Sequence, residues 1–381
     1  MRPRYELGTL LRDKWSEIES STRLSSHQKR MLKALSQCRT AALGGHLDAC
    51  EDCGHVRISY NSCRNRHCPK CQGQQREAWI RAREEELLPV PYFHLVFTLP
   101  SELNALAIKQ AKGVYTLLFK AAWQTMQAFA SAPKQLGAEA AMIAILHTCG
   151  QNLSLHPHLH CIVPAGGLTP QGKWRRAQNK GKFLFPVKAM SKVFRAKFVA
   201  LLRLYAQQSE LQLEQGLFNS LFAKKWVIYA KRPFGGPKQV IEYLGRYTHK
   251  VALSNHRIIQ MDAQRVSFSY KDYRRGGQKK LMSLEAGEFI RRFAMHILPW
   301  GFVRIRHYGF LASRHKVRKL NIARNALENL PAQRINQTPY QRPKPTPFDP
   351  QICPCCGKKS MKTLQVFLPR RAPPVRENVR A

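Results

Sequence analysis

The stretch LSLHPHLHCIVP, residues 153–164, sets His156, His158 and His160 at every second position. Alternation is the period of a β-strand, in which successive side chains point to opposite faces. All three imidazoles then share one face, and Leu155, Pro157, Leu159, Cys161 and Val163 make an apolar set on the other. Helical geometry would point the rings apart. Pro157 cannot donate to a ladder, so regular pairing is expected to begin at His158. A half-buried strand with solvated histidines would give this pattern. So would a metal site, because imidazole is the commonest metal ligand and His158-Leu159-His160 sets two rings about one apolar anchor.

A second chemistry lies upstream. Cys50-x2-Cys53 and Cys68-x2-Cys71 are separated by 14 residues. Two such pairs suit a tetrahedral Zn2+, each giving two thiolates to one half of the shell. Disulfides are the alternative, but nothing in the sequence points to an oxidising compartment. The segment also holds His46, His55, Cys63 and His67, which leaves open a second zinc or a site using Cys63 or His67. The four CxxC cysteines are the expected ligands. Basic residues interleave with them (Arg57, Arg64, Arg66, Lys70 and Arg76), as in a zinc-stabilised module that contacts DNA. A purely structural knuckle reads equally well. Cys353, Cys355 and Cys356 form a further knuckle with no partner nearby in sequence, and would need a ligand from elsewhere to bind metal. Cys38, Cys149 and Cys161 stand alone and read as small buried hydrophobes.

A third pattern is PKQVIEYLGRYTHK, residues 237–250. On a helix beginning near Pro237, Tyr243 and Tyr247 fall on one face. Aromatic pairs at this spacing usually serve packing. Here the neighbours Lys238, Arg246, His249 and Lys250 suit a site that meets phosphate, and a phenol can attack a phosphodiester that a metal polarises.

The elements that must carry these residues follow from periodicity. Residues 1 to about 40 read as helices, and 76–90 as a helix stopped by Pro89 and Pro91. YFHLVFTL (92–99) reads as a strand, 105–130 as one long amphipathic helix, and AMIAILHT with LSLHPHLHCIV as paired strands. A helix over 190–208, a strand WVIYAK, short strands over 251–273 and a helix SLEAGEFIRRFAMHIL follow. From Gln337 the chain is basic and Pro-rich, an extended linker with a small knuckle. The expected organisation is a helical and zinc-binding DNA-contacting domain over 1–90, a catalytic domain over 91–320 and a basic tail over 321–381.

Bulk composition narrows the partner. The chain has 381 residues, 63 Lys and Arg against 23 Asp and Glu, and a net charge of +40. So large an excess repels itself unless it meets a polyanion, and nucleic acid is the leading candidate. No apolar run approaches the roughly 20 residues of a membrane span, and no signal peptide is evident, so a soluble cytoplasmic, nucleoid-associated protein is expected. There is no aspartate between Asp52 and Asp262, and between Glu86 and Glu242 only Glu102, Glu139, Glu210 and Glu214 are acidic. A nuclease built on clustered aspartates could not draw its ligands from this region.

Together these motifs resemble the two-tyrosine HUH rolling-circle transposases of bacterial insertion sequences. The resemblance runs through CEDCGHVRISYNSCRNRHCPKCQ, FHLVFTLP, HTCGQNLSLHPHLHCIVPAGG, KRPFGGPKQVIEYLGRYTHKVALSNHRI, VSFSYKDYRRGG and HILPWGFVRIRHYGFLASR, nearly the whole chain. It implies an α+β fold, an HUH endonuclease core with an antiparallel sheet, the histidine strand central and the tyrosine helix beside it. His158 and His160 are then the ligands of Mg2+ or Mn2+, with His156 or His94 as a third. Tyr243 and Tyr247 become nucleophiles that cut single-stranded DNA, leaving a 5′-phosphotyrosine and a free 3′-hydroxyl. Arg64, Arg66, Lys70, Arg246 and Lys250 are the expected DNA contacts. A rolling-circle replication initiator or relaxase shares this chemistry. A non-catalytic zinc-dependent nucleic-acid-binding protein is the alternative of another class.

Overall fold

The computed structural model describes residues 3–178, 184–231, 245, 252–272, 276–328 and 349–369. Helices α1 (Leu7–Asp13), α2 (Trp15–Ser20) and α3 (Ser26–Ser36) open the chain. Ser25 caps α3: its hydroxyl accepts the Gln28 N–H at 3.2 Å while the Gln28 side chain accepts the Ser25 N–H at 2.9 Å. Strands β1 (Gly45–Cys50) and β2 (Val56–Tyr60) precede α4 (Gln72–Glu84), which starts at the second CxxC pair rather than at residue 76.

Next come β3 (Tyr92–Thr98), α5 (Asn104–Lys109), α6 (Ala111–Ser131), β4 (Ala141–Cys149), β5 (Leu155–Pro164), β6 (Gly166–Leu168) and β7 (Trp174–Arg176). Helices α7 (Val187–Gln208) and α8 (Gln215–Ala223) lead to β8 (Ile228–Lys231). Strands β9 (Ile258–Met261), β10 (Arg265–Asp272) and β11 (Gln278–Glu285) run into α9 (Ala286–Ala294). β12 (Ile305–Gly309), α10 (Lys316–Glu328) and β13 (Met361–Phe367) complete the described elements.

Two expectations shift. The helix expected over 105–130 breaks at Gln110, whose side chain accepts a hydrogen bond from the Tyr205 hydroxyl at 3.1 Å. The helix expected from Ser283 begins at Ala286, because residues 283–285 finish the ladder of β11 with β10.

The principal sheet is antiparallel throughout, in the order β12-β4-β5-β3-β8, so the histidine strand β5 is central. Its apolar face carries Leu155, Leu159, Cys161 and Val163 into one core with Leu95, Phe97, Leu146 and the buried faces of α6 and α7. The other face brings Ile143, Ile145 and Ile162 together with Ile80 and Leu88 below and Leu320 and Ala323 of α10. Fully burying each such side chain contributes about 1.5–3 kcal/mol, so both faces hold the strand's register. A separate core joins Leu7, Leu10, Leu11, Leu32 and Leu35 of the opening helices to Val266 and Phe268 of β10 and Phe289 and Phe293 of α9. The opening helices therefore pack with residues more than 200 positions downstream, and the Leu7 N–H donates to the Asn255 side chain at 3.2 Å.

Candidate active site and metal centres

The register sets the histidines. His158 on β5 lies directly opposite His147 on β4, and His160 lies opposite Ile145. A side chain takes the same face as its cross-strand partner, so His147, His158 and His160 converge on the face away from the α6–α7 core. His147 Nδ1 is 3.2 Å from His158 Nε2, which is 3.1 Å from His160 Nε2. Pairing beyond this point is irregular: the ladder with β4 shifts between His147 and Cys149, as Pro157 leads one to expect. His147 was not among the residues expected from sequence. His156 is exposed and its ring is not in the converging trio, so the structure does not support it as third ligand.

One contact fixes a tautomer. His158 Nδ1 donates to the backbone carbonyl of His156 at 2.6 Å, which leaves Nε2 as a lone pair. His160 Nδ1 is 3.0 Å from His94 Nε2, a contact in which either ring can be the donor; with the proton on His160 Nδ1, its Nε2 is a lone pair as well. In that tautomer two lone pairs face each other at 3.1 Å, an arrangement that a cation relieves. The edges of 3.1 and 3.2 Å match the ~3.0 Å between adjacent ligands of an octahedral ion with bonds of about 2.1 Å. The residues thus fit a divalent ion. His94 is stacked on His160 at 5.2 Å between centroids and stands behind it, orienting the ring rather than joining the set. Among the described residues no carboxylate joins the three histidines. Glu86, Glu102 and Glu139 are engaged instead with Lys316, Lys224 and Lys319.

Buried polar groups line the same small cavity as His147. His296 donates from Nε2 to the Leu153 carbonyl at 3.2 Å and accepts from the Thr148 hydroxyl at 3.1 Å through Nδ1. Burial lowers the His296 pKa to about 4, so it stays neutral. Burial also draws His67 well down; it accepts the Leu298 N–H at 3.3 Å and is no metal ligand.

The cysteines divide differently from the expectation of one site at Cys50, Cys53, Cys68 and Cys71. Cys68 and Cys71 meet Cys38 and Cys63, whereas Cys50 and Cys53 meet Cys353 and Cys356; within each group the sulfurs lie within 4.8 Å of one another. The reason is geometric. β1 and β2 form a hairpin that carries the first CxxC pair to one end, while α3 delivers Cys38 to the second pair at the start of α4. Cys38 is therefore a member of a cluster and not an isolated buried thiol. Its Sγ is 3.4 Å from that of Cys71, which is 3.7 Å from that of Cys63. Hydrogen bonds from Cys38, Cys63 and Cys68 draw the Cys71 thiol down, and a contact with Cys63 lowers Cys38 to about 7. Hydrogen bonds with Cys38 push Cys63 and Cys68 up in turn, and ligation of a metal would favour the thiolate form of all four.

The expected DNA contacts fare unevenly. Arg66 is spent inside the protein, donating to the carbonyls of Phe302, Pro299 and Leu298 at 2.5, 2.9 and 3.4 Å. Lys70 pairs with Glu6 at 2.6 Å. Both are taken up by the joint between the cysteine segment and its neighbours, so neither is an open phosphate contact. Arg64 is exposed, at a left-handed φ of 49°. Tyr243, Tyr247, Arg246 and Lys250 lie outside the described residues. Gly245, between the tyrosines, is helical, and a Cβ there would fall 2.3 Å from Ile80 Cδ1 of α4.

Comparison with known proteins agrees with this layout. Residues 10–99 match a family model described as a transposase zinc-binding domain, and residues 141–319 match one described as a putative transposase. The zinc-binding match spans Cys38, Cys50, Cys53, Cys63, Cys68 and Cys71, and the described thiol clusters supply the ligands such a domain needs. The chain is 44% identical over 370 residues to "Putative transposase y4qJ" of Sinorhizobium fredii, covering 93% of each. It is 27% identical over 375 residues to the transposase for insertion sequence element IS801 of Pseudomonas savastanoi pv. phaseolicola, covering 92% of this chain and 87% of the relative. No solved structure matches. With a zinc-binding domain ahead of the histidine sheet and relatives aligned along almost its whole length, the chain belongs to the transposases of bacterial insertion sequences, in the family of the IS801 transposase.

Proposed function

We propose that this transposase nicks and rejoins single-stranded DNA at the ends of its element by tyrosine attack, in a rolling-circle reaction. Tyr243 and Tyr247 are the nucleophiles. His147, His158 and His160 hold Mg2+ or Mn2+, with His94 and the His156 carbonyl fixing two of the rings. The observation that carries the reading is the meeting of these three imidazoles on the central strand and its neighbour β4, with Nδ1 of His147 and Nε2 of His158 and His160 turned toward one another. A divalent ion bound there supplies Lewis-acid polarisation of the scissile phosphate.

The phenolic oxygen forms a bond to phosphorus as the bond to the 3′ oxygen breaks. The phenol loses its proton, and the leaving oxygen departs as a 3′-hydroxyl. The tyrosine keeps the 5′-phosphate as a covalent ester until a hydroxyl from another strand end displaces it. Two tyrosines allow two such transfers. Gly245 lies against Ile80, and Ile80 shares an apolar cluster with Ile145 and Ile162 of the histidine face, which favours a reading in which the segment holding both tyrosines serves this site.

The test is a covalent adduct on single-stranded oligonucleotides carrying the element ends. Wild-type protein with Mn2+ should give a denaturant-resistant protein–DNA band. Tyr243→Phe with Tyr247→Phe should give none while still binding the oligonucleotide, because only the two oxygens are lost. An adduct formed by the double variant overturns the assignment.

A further inference from the structure

The knuckle Cys353-Pro354-Cys355-Cys356 is beyond the segment matched as zinc-binding, yet it folds against Cys50 and Cys53, 306 residues away for the pair Cys50–Cys356. The two knuckles share one build. In the first, Cys50 N–H donates to the His55 carbonyl at 2.9 Å, and the N–H of Gly54 donates back to the Cys50 carbonyl at 3.0 Å. In the second, Cys353 N–H donates to the Lys358 carbonyl at 2.8 Å, and the N–H of Gly357 donates to the Cys353 carbonyl at 2.9 Å. Each turn closes on a left-handed glycine, Gly54 at φ 70° and Gly357 at φ 74°. Each therefore presents its two sulfurs from the same tight loop.

The sulfur geometry is that of a metal shell. Cys50 Sγ lies 3.6 Å from Cys356 Sγ, and Cys53 Sγ lies 3.6 Å from Cys353 Sγ. A tetrahedral zinc with Zn–S bonds of about 2.3 Å sets its sulfurs ~3.8 Å apart. Disulfide bonding would need about 2.05 Å, and all four are free thiols. Donors also reach the sulfurs, with the Cys355 N–H 3.3 Å from Cys353 Sγ and the Ser360 hydroxyl 3.1 Å from Cys50 Sγ. The surrounding charges match as well: Asp52 pairs with Lys358 at 3.1 Å and Glu51 with Lys362 at 2.5 Å. β13 then adds to β1 as an antiparallel edge, with Cys50 opposite Met361.

We infer that Cys50, Cys53, Cys353 and Cys356 bind a second structural zinc, which clasps the segment 349–369 onto the N-terminal hairpin. Each thiol gives its proton to solvent as it ligates. Cys355 stays outside the shell, and Cys38, Cys63, Cys68 and Cys71 hold the first zinc independently.

Metal analysis of the full chain, purified under reducing conditions, tests this. Wild-type protein should carry two thiolate-bound zinc ions per chain and Cys353→Ser/Cys356→Ser protein one. Reconstitution with Co2+ counts the same sites by sulfur-to-cobalt charge-transfer absorption, which cobalt on imidazoles does not give. In wild-type protein the band should rise linearly to two equivalents, so the answer stands even where the serine variant is insoluble. Saturation at one equivalent, or two zinc ions retained by the serine variant, overturns the second site.

Discussion

His147 and His156 separate cleanly at the level of single residues. His147 faces the other two imidazoles across the ladder, whereas His156 contributes its backbone carbonyl and leaves its own ring exposed. Replacing His147 by Ala should lower oligonucleotide cleavage by more than about 100-fold, with binding changed by less than about 3-fold, because phosphate contacts elsewhere supply the affinity. His156→Ala should keep most of the cleavage. His94→Ala should fall between them, losing roughly 10–100-fold and needing more Mn2+ to saturate, since in the proposed site it orients a ligand without being one. Full activity in His147→Ala would return the third position to another side chain. A reader of the sequence could have reached His147 by folding AMIAILHT against LSLHPHLHCIV, but the loop at 150–154 hides the register until the hairpin is built.

Elements explain what spacing alone leaves open. The strand period of LSLHPHLH was enough to assign β5 and its face, because alternation is a local property of the chain, whereas its central place followed only from the family resemblance. Partition of the cysteines is not local. CxxC spacing reports which sulfurs share a knuckle, while the hairpin β1–β2 and the start of α4 decide which knuckles meet. Likewise Arg66 and Lys70 carry the right charge for DNA but sit where carbonyls and Glu6 take them up. The contact of Gly245 with Ile80 makes an element-level prediction. Gly245→Val should clash with α4, costing about 1–3 kcal/mol of stability as overpacking does, and should suppress adduct formation. Ile80→Ala opens that space, so the double variant should recover part of both losses in thermal unfolding and adduct assays. Unchanged unfolding and adduct yield in Gly245→Val would remove this contact from the account.

Across the whole molecule, charge and chain order have their own consequences. A net charge of +40 with few acidic partners predicts strongly salt-dependent binding to single-stranded DNA. Some six neutralised phosphates would give a slope of about −4 in log K against log salt, from roughly −0.7 per phosphate on single strands. A slope near −1 across a salt titration would mean that the basic excess serves something other than this strand. Among the described residues no helix is long and apolar enough to cross a membrane. The placing of β13 against β1 has a further consequence in time. A ribosome adding roughly 5–20 residues per second needs about 15–60 s to travel from the first knuckle to the second. Through that interval the hairpin waits with an open edge and two unmatched thiols. A copy of the gene interrupted anywhere in between would yield a chain whose first-made sheet never closes, so only translation through to residue 367 produces a finished N-terminal module.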